Sequence, residues 1–312
     1  MSKYIIKRVL ALIPVILGVI FIIQLILYLS HSDPAVVILG TNYTPEGAAV
    51  VREQLGLDRP FLIQFLSYIW DLVRGDFGNS YISGEPVITQ LAARFPNTLI
   101  LVLVSMTLCT VISLPIGIQT AVKPNSFLSN ITAAFSMIGI ALPTFWLGLM
   151  LILLFSVKLN GLLPAIGSVS PTGLIMPSIT LAASFMAGTM RTTRSSMLDC
   201  LNQDYIRTAK AKGVAHSDVI NKHALKNALL PVITVVGMNV GSQMGGSVLT
   251  ETVFSYPGLG VMLMNGIKQT DTPTILGCLV VMALCIGICN LLVDVLFAFI
   301  DPRIKSQYSK GR

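Results

Sequence analysis

Asp204-Tyr-Ile-Arg-Thr-Ala-Lys-Ala-Lys-Gly213 is a short basic run of helix-favouring residues that stops at a glycine. It lies between two strongly apolar stretches, and Leu230-Pro231 opens the second. A structured, charged element in that position is a handle for something on its side of a bilayer. Outward from it, the 312 residues are 54% hydrophobic and only 11% charged, with a mean hydropathy of +0.78. Roughly a quarter of a soluble domain is charged, so the solvent of this chain is lipid. Crossing a hydrocarbon core of roughly 30 Å takes about 20 apolar residues. Six stretches qualify: Val9–Leu29, Thr98–Val122, Ala133–Val157, Leu174–Met190, Ala228–Leu249 and Ile275–Ile300. They predict an all-α integral membrane protein. Leu62–Val73 is too short to cross, is flanked by Arg59 and Arg74, and reads as an amphipathic helix lying at the interface.

Charge orients the spans. On this topology 15 of the 21 basic residues fall on the side of the termini and of residues 204–213, against four acids. The positive-inside rule makes that side cytoplasmic, N-in and C-in. The net charge of +7 therefore needs no nucleic acid. The first span exceeds a cleavable signal's apolar core, no A-x-A site follows, and it is expected to be retained. Four of the five cysteines lie in spans and Cys200 lies on the cytoplasmic side, so no disulfide framework is expected. Cys285 and Cys289 share a helical face, which reads as packing rather than a metal site.

The organisation follows as a tail and first span (1–30), an external subdomain (31–97), a five-span core (98–300) and a cytoplasmic tail (301–312). In the subdomain, Thr44-Pro45 is expected to start a helix running to Leu55 with Gly56 beyond it, and Pro60 a second ending near Gly75. Gly75-Asp-Phe-Gly78 and Gly84-Glu-Pro86 read as turns, with Phe77 and Tyr81 as exposed aromatics. The subdomain is either a lid over the span ends or a docking surface. In the fifth span Gly237, Gly241 and Gly245 form a small-residue stripe, suited to helix packing, a subunit interface or the wall of a path. Prolines 115, 143, 177 and 231 interrupt or start spans. Asp294 is the acid set within a span and is expected to pair with a nearby basic residue or backbone donor rather than to relay protons.

Chemistry is sparse. There is no Gly-Lys dipeptide, hence no phosphate-cradling Walker A loop; the three histidines lack zinc spacing, and no serine sits in a nucleophile elbow. No catalytic residue and no metal ligand is assigned, and energy for uphill work would have to enter from elsewhere. The loop 191–227 is the patterned part: a helix from Met197 to Lys212, Gly213 as a left-handed stop, then Ser217 capping a helix from Asp218 to Leu229. Small Ala209 and Ala211 would let the first helix seat closely on a partner. A basic face resting on anionic lipid would explain the charges but not the small residues or the stop.

Asp-Tyr-x-Arg-Thr-Ala-x-Ala-Lys-Gly (204–213), followed by His223-Ala-Leu-x-Asn-Ala-Leu-Leu-Pro231, resembles the permease signature of bacterial ABC importers in the oligopeptide, dipeptide and nickel branch. Asp33-Pro-Ala35, Leu55-Gly-Leu-Asp-x-Pro60, Gly75-Asp-Phe-Gly78, Leu142-Pro-Thr-Phe-Trp146, Leu163-Pro-Ala165, Glu251-Thr-Val-Phe-Ser-Tyr-Pro-Gly-Leu-Gly260 and Asp301-Pro-Arg-Ile304 extend the likeness along the whole chain. The segment after the first span is similar to that of the B-type, first, permease of such systems. Arg207-Thr208-Ala209 stands where many importers have Glu-Ala-Ala, and Gly213 lies farther from Leu230-Pro231 than in sugar importers; both fit the peptide/nickel branch.

The resemblance implies a type I permease fold in the bacterial cytoplasmic membrane. Its implied partners are a second homologous permease, two ABC ATPases, an external solute-binding protein and membrane lipid. ATP and magnesium would sit on the ATPases and no cofactor on this chain. Asp204, Tyr205, Arg207, Thr208, Ala209, Lys210, Ala211, Lys212 and Gly213 would form the coupling helix seated in one ATPase. Short peptides are the expected cargo, with nickel or a metal chelate, glutathione and opines as alternatives. An ion-coupled secondary transporter would instead require midplane carboxylates and an internal repeat; Asp294 alone and no clear repeat are present.

Overall fold

A computed structural model describes residues 2–30, 33–127, 129–132, 139 and 142–300. Eleven helices organise the described residues. α1 (Ser2–Leu29) is the first span. α2 (Pro34–Leu39), α3 (Pro45–Leu55) and α4 (Phe61–Val73) build the external subdomain. α5 (Val87–Val122), α6 (Thr144–Leu151, continued as a π-helix over Ile152–Lys158), α7 (Pro171–Leu201), α9 (His216–Val253) and α11 (Thr272–Ile300) supply the bundle. α8 (Asp204–Ala211) and α10 (Leu259–Lys268) are short helices at its two ends.

The subdomain helices start where side-chain chemistry satisfies their first amides. Asp33 accepts from the Ala35 N–H at 3.0 Å and Thr44 Oγ1 from the Gly47 N–H at 3.1 Å, in each case just before a proline whose missing N–H costs nothing there. Asp33 is also ion-paired with Arg52 of α3, which ties α2 to α3. α4 packs Phe61 and Phe65 edge-on against Phe21 of α1, with ring centroids 5.3 Å apart in both pairs. Phe77, read as exposed, packs instead against the bundle core, and Tyr81 is half-buried, because the turn at Asp76–Gly78 folds this segment back onto α11.

The bundle is apolar at three levels. Val87, Leu91, Leu259, Met262, Leu263, Ile275, Cys278 and Met282 close the external end between α5, α10 and α11. Leu101, Val102, Leu181, Met244 and Tyr256 fill the next level. Ala121, Met197, Ile206, Ala209, Val219, Ala224 and Ala228 close the cytoplasmic end. α5 and α7 make the most extensive helix pair, with α9 against both and α1 on the outside of α11. Outward on α1, Leu10, Ile13, Ile22 and Ile26 are exposed, as a lipid-facing helix requires.

Five described helices are long and apolar enough to cross a membrane. Of the expected third span, residues 133–138, 140 and 141 lie outside the described residues, and the remainder forms the apolar helix Thr144–Lys158. The real helices outrun the apolar stretches. α5 begins at Val87 rather than Thr98, with Pro96 inside it, and at 36 residues it spans about 54 Å. α7 runs on to Leu201 through Arg191 and Arg194. Hydropathy marks the part of a helix in lipid; the parts beyond it carry Arg94, Arg191 and Arg194 and remain helical.

Candidate coupling surface

The loop 191–227 is three helical pieces, not two. The expected helix Met197–Lys212 is broken at Asn202-Gln203: α7 ends there, Gln203 is extended (φ −76°, ψ 152°), and α8 restarts at Asp204. The break turns α8 away from the α7 axis and lays it across the cytoplasmic end of the bundle. Asp204 stands in its first turn and Lys210 in its last, both complementing the helix dipole.

α8 has two faces. Ile206 is fully buried and Ala209 nearly so, in the cluster with Ala121, Met197, Val219, Ala224 and Ala228. Asp204, Tyr205, Arg207, Thr208, Lys210, Ala211, Lys212 and Gly213 are exposed. This corrects one expectation: the small side chain of Ala209 lets α8 seat on its own bundle rather than on a partner, since position 209 shares the inward face with Ile206. Ala211 remains outward.

The seat is fastened at both ends. Asn227 Nδ2 of α9 donates to Tyr205 Oη at 3.1 Å. Partial desolvation of the phenol, exposed though the residue is as a whole, pushes Tyr205 above its ordinary pKa. Beyond α8, Gly213 takes φ +76°; its N–H donates to Lys210 O at 3.0 Å and the Val214 N–H to Ala209 O at 3.2 Å. That pair of bonds is a Schellman cap, and Val214 completes it by packing into the same cluster. α9 then starts at His216, with Ala215 O accepting from the Asp218 and Val219 amides at 2.9 and 3.0 Å. Ser217 therefore lies inside the first turn and is not the cap. Asp218 pairs with Lys222 Nζ at 2.9 Å, and a π-helical segment, Val219–Ala224, leads into the run through Pro231.

The outward face offers Arg207, Lys210 and Lys212 against Asp204 alone. Arg207 Nη1 lies 3.6 Å from Asp204 Oδ1, with both side chains more than three-quarters exposed. A pair so solvated holds neither group in place, so both are available to a partner.

The other singled-out residues serve the bundle. A Cβ built on Gly237 would collide with Val293 Cγ2, and one on Gly241 would sit 3.3 Å from Cys289 Cβ and 3.4 Å from Ile286 O. Gly245 stands 3.9 Å, on the same construction, from Ile286 Cδ1. The stripe is thus where α9 meets α11 of the same chain. Asp294 Oδ2 accepts from Arg8 Nη1 at 3.0 Å, joining the last span to the first.

Two buried acids escaped the sequence reading. Glu251, fully buried, accepts from Thr98 Oγ1 at 2.7 Å, from the Gly260 N–H at 2.6 Å and from the Val261 N–H at 3.4 Å. Thr98 Oγ1 in turn accepts from the Leu259 N–H at 2.8 Å. One carboxylate therefore joins α5, α9 and the N-terminus of α10. A signal was there in Gly258-Leu-Gly260: a Cβ on Gly260 would meet Glu251 Oε2 at 2.8 Å and Val248 Cα at 2.6 Å, and one on Gly258 would collide with the carboxylate. Asp271, 3% exposed, accepts from Ser80 Oγ at 2.6 Å, the Tyr81 N–H at 3.0 Å and Thr274 Oγ1 at 2.7 Å. It pins the subdomain to the start of α11.

With this geometry in view, comparison with known proteins decides the class. Residues 113–306 match the family described as binding-protein-dependent transport system inner membrane component, and residues 1–102 match its N-terminal membrane component. The chain belongs to this family. It is a permease subunit of an ABC importer, an inner-membrane protein that works with permease and ATPase partners and a binding protein. The permease is 41% identical over 317 residues to the oligopeptide transport system permease protein AppB of Bacillus subtilis (strain 168), covering 98% of this chain and 100% of that protein. It is also 41% identical over 305 residues to the glutathione transport system permease protein GsiC of Escherichia coli (strain K12), at 98% and 99% coverage. Its fold is that of a chain of the inward-facing MetNI methionine ABC transporter, with a TM-score of 0.59 at 19% identity over 70% of this permease and 99% of that chain.

Proposed function

We propose that this permease forms half of the translocation pore of an importer for short peptides, in which residues 204–213 couple the pore to an ATPase. The observation that carries the coupling assignment is the two-faced α8. Its apolar face is locked onto the ends of α5, α7 and α9, and its basic face is free. A pull on that face is transmitted to three spans at once. Two ATPases hold ATP and magnesium and hydrolyse the nucleotide, and a second homologous permease supplies the other half of the pore. ATP-driven closure of the ATPase pair draws the two coupling helices together and turns the pore from inward- to outward-facing. A binding protein docked outside then releases cargo into it. The short-peptide reading is supported by relatives named for oligopeptide and for glutathione, itself a tripeptide, at equal identity. Selectivity rests with the binding protein, since the spans present few charged groups to a substrate.

Gentle detergent extraction of the chain from its native membrane, with mass analysis of what accompanies it, tests this reading. Recovery with a second permease and Walker A ATPases, and uptake of short peptides into proteoliposomes only with ATP and the binding protein, is expected. Recovery alone, with transport that ignores ATP, would overturn it.

A further inference from the structure

A cavity of about 540 Å³ lies on the external side, bounded by α1, the α3–α4 segment, the turn at Asp76–Tyr81 and the start of α11. That is within the size range of small-ligand sites. It stands away from α8 and from the α5–α7 pair. Its wall mixes apolar and polar groups, and two of the residues that line it carry a buried atom without a partner: Gln24 Oε1 and Tyr68 Oη find no hydrogen bond among the described residues. Buried polar groups are almost always satisfied, so an acceptor and a hydroxyl donor left open in one cavity point to a ligand with a donor and an acceptor of its own.

The charges narrow its chemistry. Arg59, Asp71 and Asp76 line the cavity, and none makes an ion pair among the described residues. Two acids with one base disfavour an anion and suit a group carrying both an ammonium and a negatively charged oxygen.

Position narrows it further. Gln24 lies five residues, about 8 Å, inside the external end of α1, so the cavity reaches from the headgroup layer into the outer edge of the hydrocarbon. α4 turns Gln64, Ser67, Tyr68 and Asp71 toward the cavity, while Leu62, Leu66, Trp70 and Val73 are exposed on another face. Arg74 sits 4.6 Å over the Trp70 ring, the arrangement of an interfacial helix edge. A molecule with its head in the cavity and its tails along Leu66 and Trp70 would match both faces of α4.

We propose that this cavity binds the headgroup of a zwitterionic, primary-amine phospholipid of the outer leaflet. Asp71, Asp76 and Gln24 Oε1 receive the ammonium, and Arg59 and the Tyr68 hydroxyl receive the phosphate. The bound lipid fastens the external subdomain to α1 and α11.

The test uses the whole transport complex, stripped of lipid in detergent and titrated with dioctanoyl phosphatidylethanolamine or dioctanoyl phosphatidylglycerol. Native mass spectrometry counts the molecules retained and confirms that the complex is intact. Retention of phosphatidylethanolamine at about tenfold lower concentration than phosphatidylglycerol is expected. It should fall about tenfold in Asp71→Asn and again in Arg59→Gln, each variant losing one charge-assisted contact. Tyr68→Phe should fall less. Equal retention of both lipids, or retention unchanged in the charge variants, overturns the proposal. Displacement by tail-free glycerophosphoethanolamine as effectively as by the lipid overturns the lipid source and assigns the cavity to a free zwitterionic solute.

Discussion

Replacing Gly213 isolates the coupling turn from everything around it. A Cβ built at this position meets no heavy atom within 4 Å, and Gly213 is exposed, so a side chain has open space to enter. What it meets is backbone: at φ +76° an L-residue is in the left-handed region, at a cost of roughly 1–2 kcal/mol, with asparagine the most tolerated and β-branched residues the least. That cost is too small to unfold a bundle held by three apolar clusters. It is comparable to the two hydrogen bonds of the cap, at about 1 kcal/mol each. Gly213→Val is therefore expected to open the Schellman cap, loosen Val214 from its cluster and free the C-terminal end of α8 while the chain stays in the membrane. ATP-driven peptide uptake into proteoliposomes, normalised to the amount of assembled complex, should be abolished in Gly213→Val. It should be reduced several-fold in Gly213→Ala and near normal in Gly213→Asn. Normal uptake by the valine variant, or an asparagine variant as impaired as valine, would refute the reasoning, because only backbone conformation orders the series this way.

Two further outcomes follow from the buried acid and the external ion pair. Glu251→Ala leaves the Gly260 amide and Thr98 hydroxyl unsatisfied in the core, so it should lower stability by about 3 kcal/mol, with Glu251→Gln affected less; thermal unfolding of the purified complex measures both. Arg52 beside Asp33 holds that carboxyl below its ordinary pKa of 3.8. The stabilisation is complete above pH 4 and is lost as pH falls through the depressed value. Protection of the α2 and α3 amides, taken as exchange relative to the intrinsic rate at each pH, should fall below pH 4 in the native chain, and Arg52→Ala should remove that step; equal protection at pH 3 and pH 6 in the native chain would refute it.

Local signals with a mechanism were legible in the residues. Thr44-Pro45 and Gly56 mark the ends of α3, and Pro60 precedes α4, because caps and prolines act within one turn of themselves. Gly213 declares the end of α8 for the same reason. Helix bounds were less legible: the apolar stretch begins at Thr98, yet α5 begins at Val87 and runs through Pro96, where it is tied to the segment before α10, Tyr256 Oη donating to Asn97 O at 2.9 Å and Asn97 Nδ2 to Pro257 O at 2.8 Å. The inward turn of Ala209 was hidden because an alanine suits both a partner contact and a close seat on its own bundle. Periodicity shared with Ile206, three residues earlier, carried the answer. Glu251 and Asp271 were missed because each is satisfied by groups far away in sequence, Thr98 and Ser80 among them, which no local window contains.

The face that α8 presents to its partner is the central claim, and cross-linking measures it directly. In a cysteine-free chain within the assembled importer, a short photoactivatable cross-linker is attached at Arg207→Cys on the outward face or at Ala209→Cys on the inward face. Cross-links from position 207 to the ATPase, with position 209 forming them only within its own chain, are the result this account predicts. An ATPase cross-link from position 209, or none from position 207 in a complex that still transports, would contradict it.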